Sequence, residues 1–220
     1  MKIIEISDII KEKAPLFKGI AISADIINSE SSLVLWEEFN SLIKEFTENN
    51  KVEDINKRIT IKATREAYKA LGKEPNRYRP SAEALCRRIL KEKSLYKINT
   101  LVDLINLVSI KTGFSIGGFD ENKIEGEKLT LERGKSDDQF MGIGRGTLNI
   151  EGLPVYKDKI GGIGTPTSDE ERTKISVDTT KTLIIVNGYS GCEELNFAKD
   201  LMIYLLIKYT EAKNIDITEF

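Results

Sequence analysis

The chain has 220 residues, enough to bury a substantial core, and its 40% hydrophobic and 31% charged content with a formal net charge of -2 is that of an ordinary globular protein. No apolar run approaches the roughly 20 residues of a membrane helix, which excludes a helical membrane span. Histidine is absent, which excludes the commonest general base, the commonest zinc ligand and any Ser-His or Cys-His nucleophile pair.

The N-terminus carries Glu5 and Asp8 within its apolar stretch and has no small-residue cleavage site. It does not read as a signal peptide, and a cytoplasmic location is expected. Lys2 to Ile6 and Gly19 to Ile27 cluster β-branched residues as strands do, with Ile20, Ile22 and Ile26 on one face, and are expected to start a sheet. Leu35, Trp36, Phe39, Leu42, Ile43 and Phe46 recur at spacings of three and four, predicting an amphipathic helix that stops before Asn49-Asn50. A second helix is predicted from about Val52 to Leu71, ended by Gly72, with Arg58, Lys62, Arg65 and Lys69 on one stripe.

Pro75 breaks the chain, and Pro80 takes a first-turn position in a helix that turns Leu85, Ile89 and Leu90 inward. Asn99 is a good N-cap for a further helix, with Asp103 in its first turn and Gly113 at its end. Asn106 lies in the middle of that apolar helix, facing either solvent or a buried network or pocket. Phe114 to Asp120 is expected to be a tight turn in which Gly117-Gly118 supplies positive φ.

Beyond this point glycine is frequent and helical periodicity disappears. Short strands are expected at Lys128 to Glu132, Phe140 to Ile143, Thr147 to Ile150, Val155 to Lys159 and Thr182 to Val186. Ser168 with Glu171 reads as the cap of a short turn, and Ser190 with Glu193 as the cap of a closing helix. The tail after Lys213 carries no signal. Helices first and strands second, with no repeat or low-complexity linker, predict an α+β fold in a single domain, residues 1–220, of which 1–75 is a strand-helix-helix part.

Cys86 and Cys192 have no metal-ligand spacing and read as buried small apolar residues, so neither a metal nor a cofactor is expected. The Gly142 to Gly146 cluster lacks the Lys-Ser/Thr of a phosphate loop. A second cluster, Gly161 to Ser168, offers amides and hydroxyls either for tight turns between strands or around a polar ligand. Asp103, Asp120, Asp169 and Glu170 are carboxylate candidates for acid/base work, with no spacing that pairs them. Charge is uneven: from Arg58 to Lys97 there are twelve basic and four acidic residues, a segment of +8 that leaves -10 elsewhere. It reads as a solvated helix face or as a phosphate-binding surface, with Arg58, Lys62, Arg65, Lys69, Arg77 and Arg79 the RNA-binding candidates.

Three stretches carry a resemblance: Arg79-Pro80, the run from Asn99 to Asn106 with Val102 and Asp103 inside it, and Phe119-Asp120 followed by Ile124 and Gly126. They resemble the tRNA-editing B3/B4 domain of the bacterial phenylalanyl-tRNA synthetase beta subunit, here standing alone, over about residues 77–206. That resemblance implies a mixed or antiparallel β-sheet structure flanked by helices, and a pocket around Asn106, Gly117, Gly118, Phe119, Asp120, Gly162, Gly164, Thr165, Thr167 and Ser168. It also implies hydrolysis of mischarged aminoacyl-tRNA, with the aminoacyl end of tRNA as partner rather than DNA or a membrane. Gly117 stands where that family has a histidine, and Thr165 to Ser168 where it has M-G-G-E. The catalytic residues therefore stay unassigned, and the class II ligase motifs are not visible. A non-catalytic module for an amino acid or nucleoside, or a protein-interaction domain, fits the same residues.

Overall fold

The computed structural model describes residues 2–91, 93–191 and 194–220. In chain order the elements are β1 (Ile3–Ile6), α1 (Asp8–Lys13), β2 (Lys18–Asp25), α2 (Leu33–Asn49), a 3-10 helix (Val52–Lys57), α3 (Ile59–Ala70), α4 (Ser81–Leu90) and α5 (Thr100–Thr112). There follow β3 (Ser115–Asp120), a 3-10 turn (Glu121–Lys123), β4 (Lys128–Arg133), β5 (Met141–Gly142), β6 (Gly146–Thr147), β7 (Pro154–Lys157), β8 (Gly162–Gly164), a 3-10 turn (Glu171–Thr173), β9 (Lys181–Gly188), α6 (Leu195–Thr210) and β10 (Lys213–Glu219). The fold is α+β, with one antiparallel and one mixed sheet flanked by helices.

The antiparallel sheet runs β10-β2-β9-β3, and the mixed sheet runs β1-β4-β7-β8 with β1 parallel to β4. The first sheet is buried on both faces. Ile20, Ile22, Ile184 and Val186 pack against Leu35, Phe39, Leu101, Leu104 and Met202 of the helices. The alternate residues Ala21, Leu183 and Ile185 pack against Leu129, Leu131 and Tyr156 of the second sheet. This is why β2 and β9 read as near-continuous apolar runs: a strand with a layer on either side has no solvent face to alternate with.

Several expectations are corrected. The two N-terminal strands do not start one sheet, since β1 belongs to the mixed sheet and β2 to the antiparallel one; β2 thereby brings the first half of the chain to the centre of a sheet otherwise built from the second half. The predicted Val52–Leu71 helix is split at Arg58, whose ψ of 130° leaves the helical region while its guanidinium donates to the carbonyls of Ile110 and Lys111 at the end of α5. The unheralded tail forms β10, an edge strand paired with β2. All its residues are exposed except Ile215 and Thr218, which are half-buried, so it carries little hydrophobic signal.

Phe114 to Asp120 is not a turn. It holds strand β3, paired residue by residue with β9 from Ser115–Asn187 to Asp120–Thr182, and neither Gly117 nor Gly118 has a positive φ. The 3-10 turn after Asp169 is capped by Glu170, which accepts from the Arg172 amide at 2.6 Å, rather than by Ser168. Helix α6 starts at Leu195 behind Glu194; Glu193 of the expected cap, and Cys192, lie outside the described residues. Cys86 is buried, and burial pushes its thiol up to about 11. Among the described residues no helix is long and apolar enough to cross a membrane.

Candidate functional site

Helix α5 is the wall from which the site is built. Asn99 caps it, accepting from the Val102 amide at 3.0 Å, and Gly113 closes it with φ 79°, the left-handed geometry that glycine takes without penalty. Between these stops the helix has two faces. Leu101, Leu104, Leu107 and Val108 enter the core, whereas Val102, Ile105, Asn106 and Ser109, at spacings of three and four, face a cavity of about 390 Å³. Asp103 is fully buried and accepts from Ser31 Oγ, Trp36 Nε1 and the Ile98 amide, which locks the start of the helix.

The opposite walls come from other places: Ser81 and Leu85 of α4, Ile116 and Gly118 of β3, Thr165, Ser168 and Asp169 at the end of the glycine-rich loop, and Ile143 before that loop with Lys174 and Ile175 after it. β3 is the edge of its sheet, and the loop lies along that edge. The Gly118 amide donates to Asp169 Oδ2 at 3.3 Å, and the Ser81 amide donates to the Pro166 carbonyl at 2.8 Å. A strand edge that would otherwise leave its amides unpaired is thus closed by the loop that completes the cavity.

Of the pocket residues expected from sequence, four line this cavity: Asn106, Gly118, Thr165 and Ser168. The Asn106 carboxamide makes no hydrogen bond among the described residues, so it is open to a ligand. The Thr165 hydroxyl is engaged locally, donating to the Ser168 carbonyl and accepting from the amides of Thr167 and Ser168. The other six lie elsewhere. Phe119 is 1% exposed in the core between the sheets, with Gly117 and Gly164 beside its ring; a Cβ on Gly117 would stand 2.8 Å from the Phe119 ring, and one on Gly164 would stand 2.5 Å from it. Gly162 is glycine because Phe140 packs on it, its Cβ position lying 2.9 Å from that ring. Asp120 accepts from Thr179 Oγ1, Lys123 and the Asn122 amide, and so caps the turn that follows β3. Thr167 bonds the Tyr68 hydroxyl at 2.9 Å.

Sequence reasoning left Asp169 undistinguished among four carboxylates. Its surroundings single it out: burial pushes its carboxyl up to about 7, only partly offset by the Gly118 amide. It and Lys174 are the charged residues of the cavity wall, and Lys174 is paired with Glu171. A carboxyl that titrates near neutrality inside an apolar cavity can move a proton or hold a cation. The signal lies in the fold alone, because Asp169 is desolvated by segments remote in sequence.

The basic segment divides. Arg58 is fixed on the α5 carbonyls and over the Phe46 ring. Arg65 pairs with the buried Glu83 at 2.8 Å, and Arg87 and Arg79 close on the same carboxylate at 2.8 and 3.5 Å. Lys73 is buried against the carbonyls of Asn149 and Glu151. Lys62, Lys69 and Arg77 are exposed, as in large part is Arg79. Two further exposed cations stand beside cavity residues in the chain, Lys97 next to Ile98 and Arg145 two residues after Ile143. The Gly142 to Gly146 cluster is the turn joining β5 to β6, with Gly144 and Gly146 at positive φ. Among the described residues no group of three or more Cys, Asp or Glu is placed to hold a metal ion.

A family model described as the B3/4 domain matches residues 63–216, beginning earlier and ending later than the sequence motifs alone indicated. No curated protein matches. Among solved structures, the chain is similar to a crystal structure of an N-terminal fragment of the phenylalanyl-tRNA synthetase beta-subunit from Pyrococcus horikoshii, at 13% identity and a TM-score of 0.49, covering 98% of this chain and 50% of that one. The chain thus spans half the length of that solved chain.

Proposed function

The chain belongs to the B3/4 domain family, and from that premise we propose that it binds the aminoacyl end of a tRNA and hydrolyses the ester of a mischarged amino acid. The observation that carries this reading is the cavity beside α5, where the free carboxamide of Asn106 and the Ser168 hydroxyl face a space lined largely by Leu, Val and Ile side chains. Such a space suits an amino-acid side chain, and the two polar groups suit an ester carbonyl or the water that attacks it. Arg79, Lys97 and Arg145 neighbour cavity residues in the chain, and together with Arg77, Lys62 and Lys69 they provide cations for phosphates.

With no histidine in the chain, hydrolysis rests on a water held by Asn106 and Ser168, with the ribose hydroxyl vicinal to the ester taking part in proton transfer. An aminoacyl ester is activated enough for positioning to supply much of the rate. Residues 1–75 are taken as part of the same working unit, and the protein as acting in the cytoplasm.

Deacylation of a panel of mischarged tRNAs tests the reading. At least one substrate should be hydrolysed well above the buffer rate, and Asn106→Ala should lower that rate at least tenfold while leaving stability within about 0.5 kcal/mol, since no intramolecular hydrogen bond is lost. No acceleration for any substrate sinks the hydrolytic reading. Binding without hydrolysis would favour the non-catalytic module, for which the same cavity serves as a ligand site. Binding should weaken steeply with salt, and Arg79→Glu or Arg145→Glu should reduce that slope.

A further inference from the structure

Asp169 is held from three directions: its carbonyl accepts the Ile143 amide at 3.1 Å, its backbone bridges to Gly164, and its Oδ2 accepts the Gly118 amide at 3.3 Å. Its Oδ1 accepts no hydrogen bond among the described residues. A carboxylate offers about four lone-pair sites, and in this half-buried one a single long hydrogen bond from the protein engages one of them. A carboxylate left so is relieved by a cation that brings hydrogen-bond donors of its own. No protein cation does this. Lys174, the other charged residue of the wall, is paired with Glu171, while Glu170 caps the Arg172 amide and Arg172 forks onto Asp158. On the remaining elements, β3 contributes Asp120, already held by Lys123 and Thr179; α5 contributes Asp103, turned to Ser31 and Trp36; and α4 contributes Glu83, held by arginines. The other polar residues of the wall, Ser81, Asn106, Ser109, Thr165 and Ser168, are uncharged, and Leu85, Val102, Ile105, Ile116, Ile143 and Ile175 supply its aliphatic part.

We propose that this cavity is an ammonium-binding site, taking a ligand with a primary ammonium on an apolar body and using the Asp169 carboxylate as its counter-ion. The proposal deepens the functional reading and rests on the same cavity: an aminoacyl ester with a free α-ammonium fits, an N-acylated one lacks the charge, and a ligand with a free carboxylate meets no unpaired cation among the described residues of the cavity wall. Because the empty site holds its carboxyl up to about 7, a bound cation that favours the ionised form expels the proton. At pH 6 ligand binding releases close to one proton, and at pH 8.5 almost none.

Calorimetric titration of the whole chain with 2-phenylethylamine, 2-phenylethanol and 3-phenylpropanoate tests this, run at pH 6 and 8.5 in buffers of different ionisation enthalpy. The amine should bind at least tenfold tighter than the alcohol, the carboxylate should bind weakest, and proton release should appear for the amine at pH 6 only. Asp169→Asn should bring amine affinity down to that of the alcohol and abolish the proton release, while alcohol binding is kept, which shows that the cavity still forms. Equal affinity for amine and alcohol, unchanged amine binding in the variant, or no binding of any probe overturns the proposal. Amine binding together with silent deacylation assays would keep this inference and defeat the hydrolytic reading; deacylation without amine preference would do the reverse.

Discussion

The two faces of β3 carry glycine at adjacent positions, 117 and 118, and what stands against each differs. Behind Gly117 the buried Phe119 ring fills the space, with Asp169 Oδ1 beside it at the strand edge. In front of Gly118 the δ-methyls of Ile105 and Ile175 press onto the strand, and beyond them the packing stops at the cavity. Both glycines serve close approach rather than a turn. The difference lies in the opposing layer: a second sheet offers side chains at regular spacing that fill the gap, whereas between β3 and the helices α4 and α5 a cavity is left. Substitutions on the first face should register as stability and those on the second as function.

The largest effect is expected from Phe119→Ala, which empties a fully buried ring site and should cost about 3–5 kcal/mol by chemical denaturation. Next is the pH dependence set by Asp169, whose folded pKa of about 7 lies above the ordinary carboxylate value. The folded state therefore binds more protons than the unfolded one between about pH 4 and 7, and stability falls with rising pH there, by up to about 1.4 kcal/mol per pH unit. Asp169→Asn should flatten this part of the profile and gain on the wild type above pH 7; a parallel profile would show that the carboxyl is not desolvated.

Gly164→Ala places a Cβ 2.5 Å from the Phe119 ring and 2.7 Å from Asp169 Oδ1, and should cost about 1–3 kcal/mol as an overpacked core does. Gly118→Ala meets only the ends of two isoleucine side chains, which can rotate away into the cavity. Its stability loss should be about 1 kcal/mol or less, with a disproportionate loss of ligand binding as the cavity shrinks. If Gly118→Ala destabilises as much as Gly164→Ala while binding is retained, the contrast between the faces fails.

Much of the helical half was legible because its signals are local. The Asn99 cap, the Gly113 stop and the Gly72 stop each act through backbone geometry within a turn or two and stand where expected, whereas Pro80, expected in the first turn, is the N-cap one residue before the helix, with ψ 142°. Of the later strands, β4, β5, β7 and β9 were legible as runs; the expected Thr147 to Ile150 strand is only β6 at Gly146–Thr147, and β8 and β10 were not foreseen. Asn106 was visible as a polar residue on an apolar helix, but whether it faced solvent or a pocket was not.

What failed to show were effects whose cause lies far away in the chain. Gly117-Gly118 looked like a turn because local propensity cannot see β9, the strand that pairs with it. The basic stripe read as one solvated or phosphate-binding face because sequence cannot show that Glu83 draws in Arg65, or that the end of α5 draws in Arg58. The sequence by itself determined the α+β composition, the ends of its best-marked helices and the family, since propensities, caps and a short motif are properties of neighbouring residues. Only the tertiary structure decided which glycines make room for rings, which cations remain free and which carboxylate is stripped of water, because desolvation and close contact are made by segments that meet only once the layers have packed.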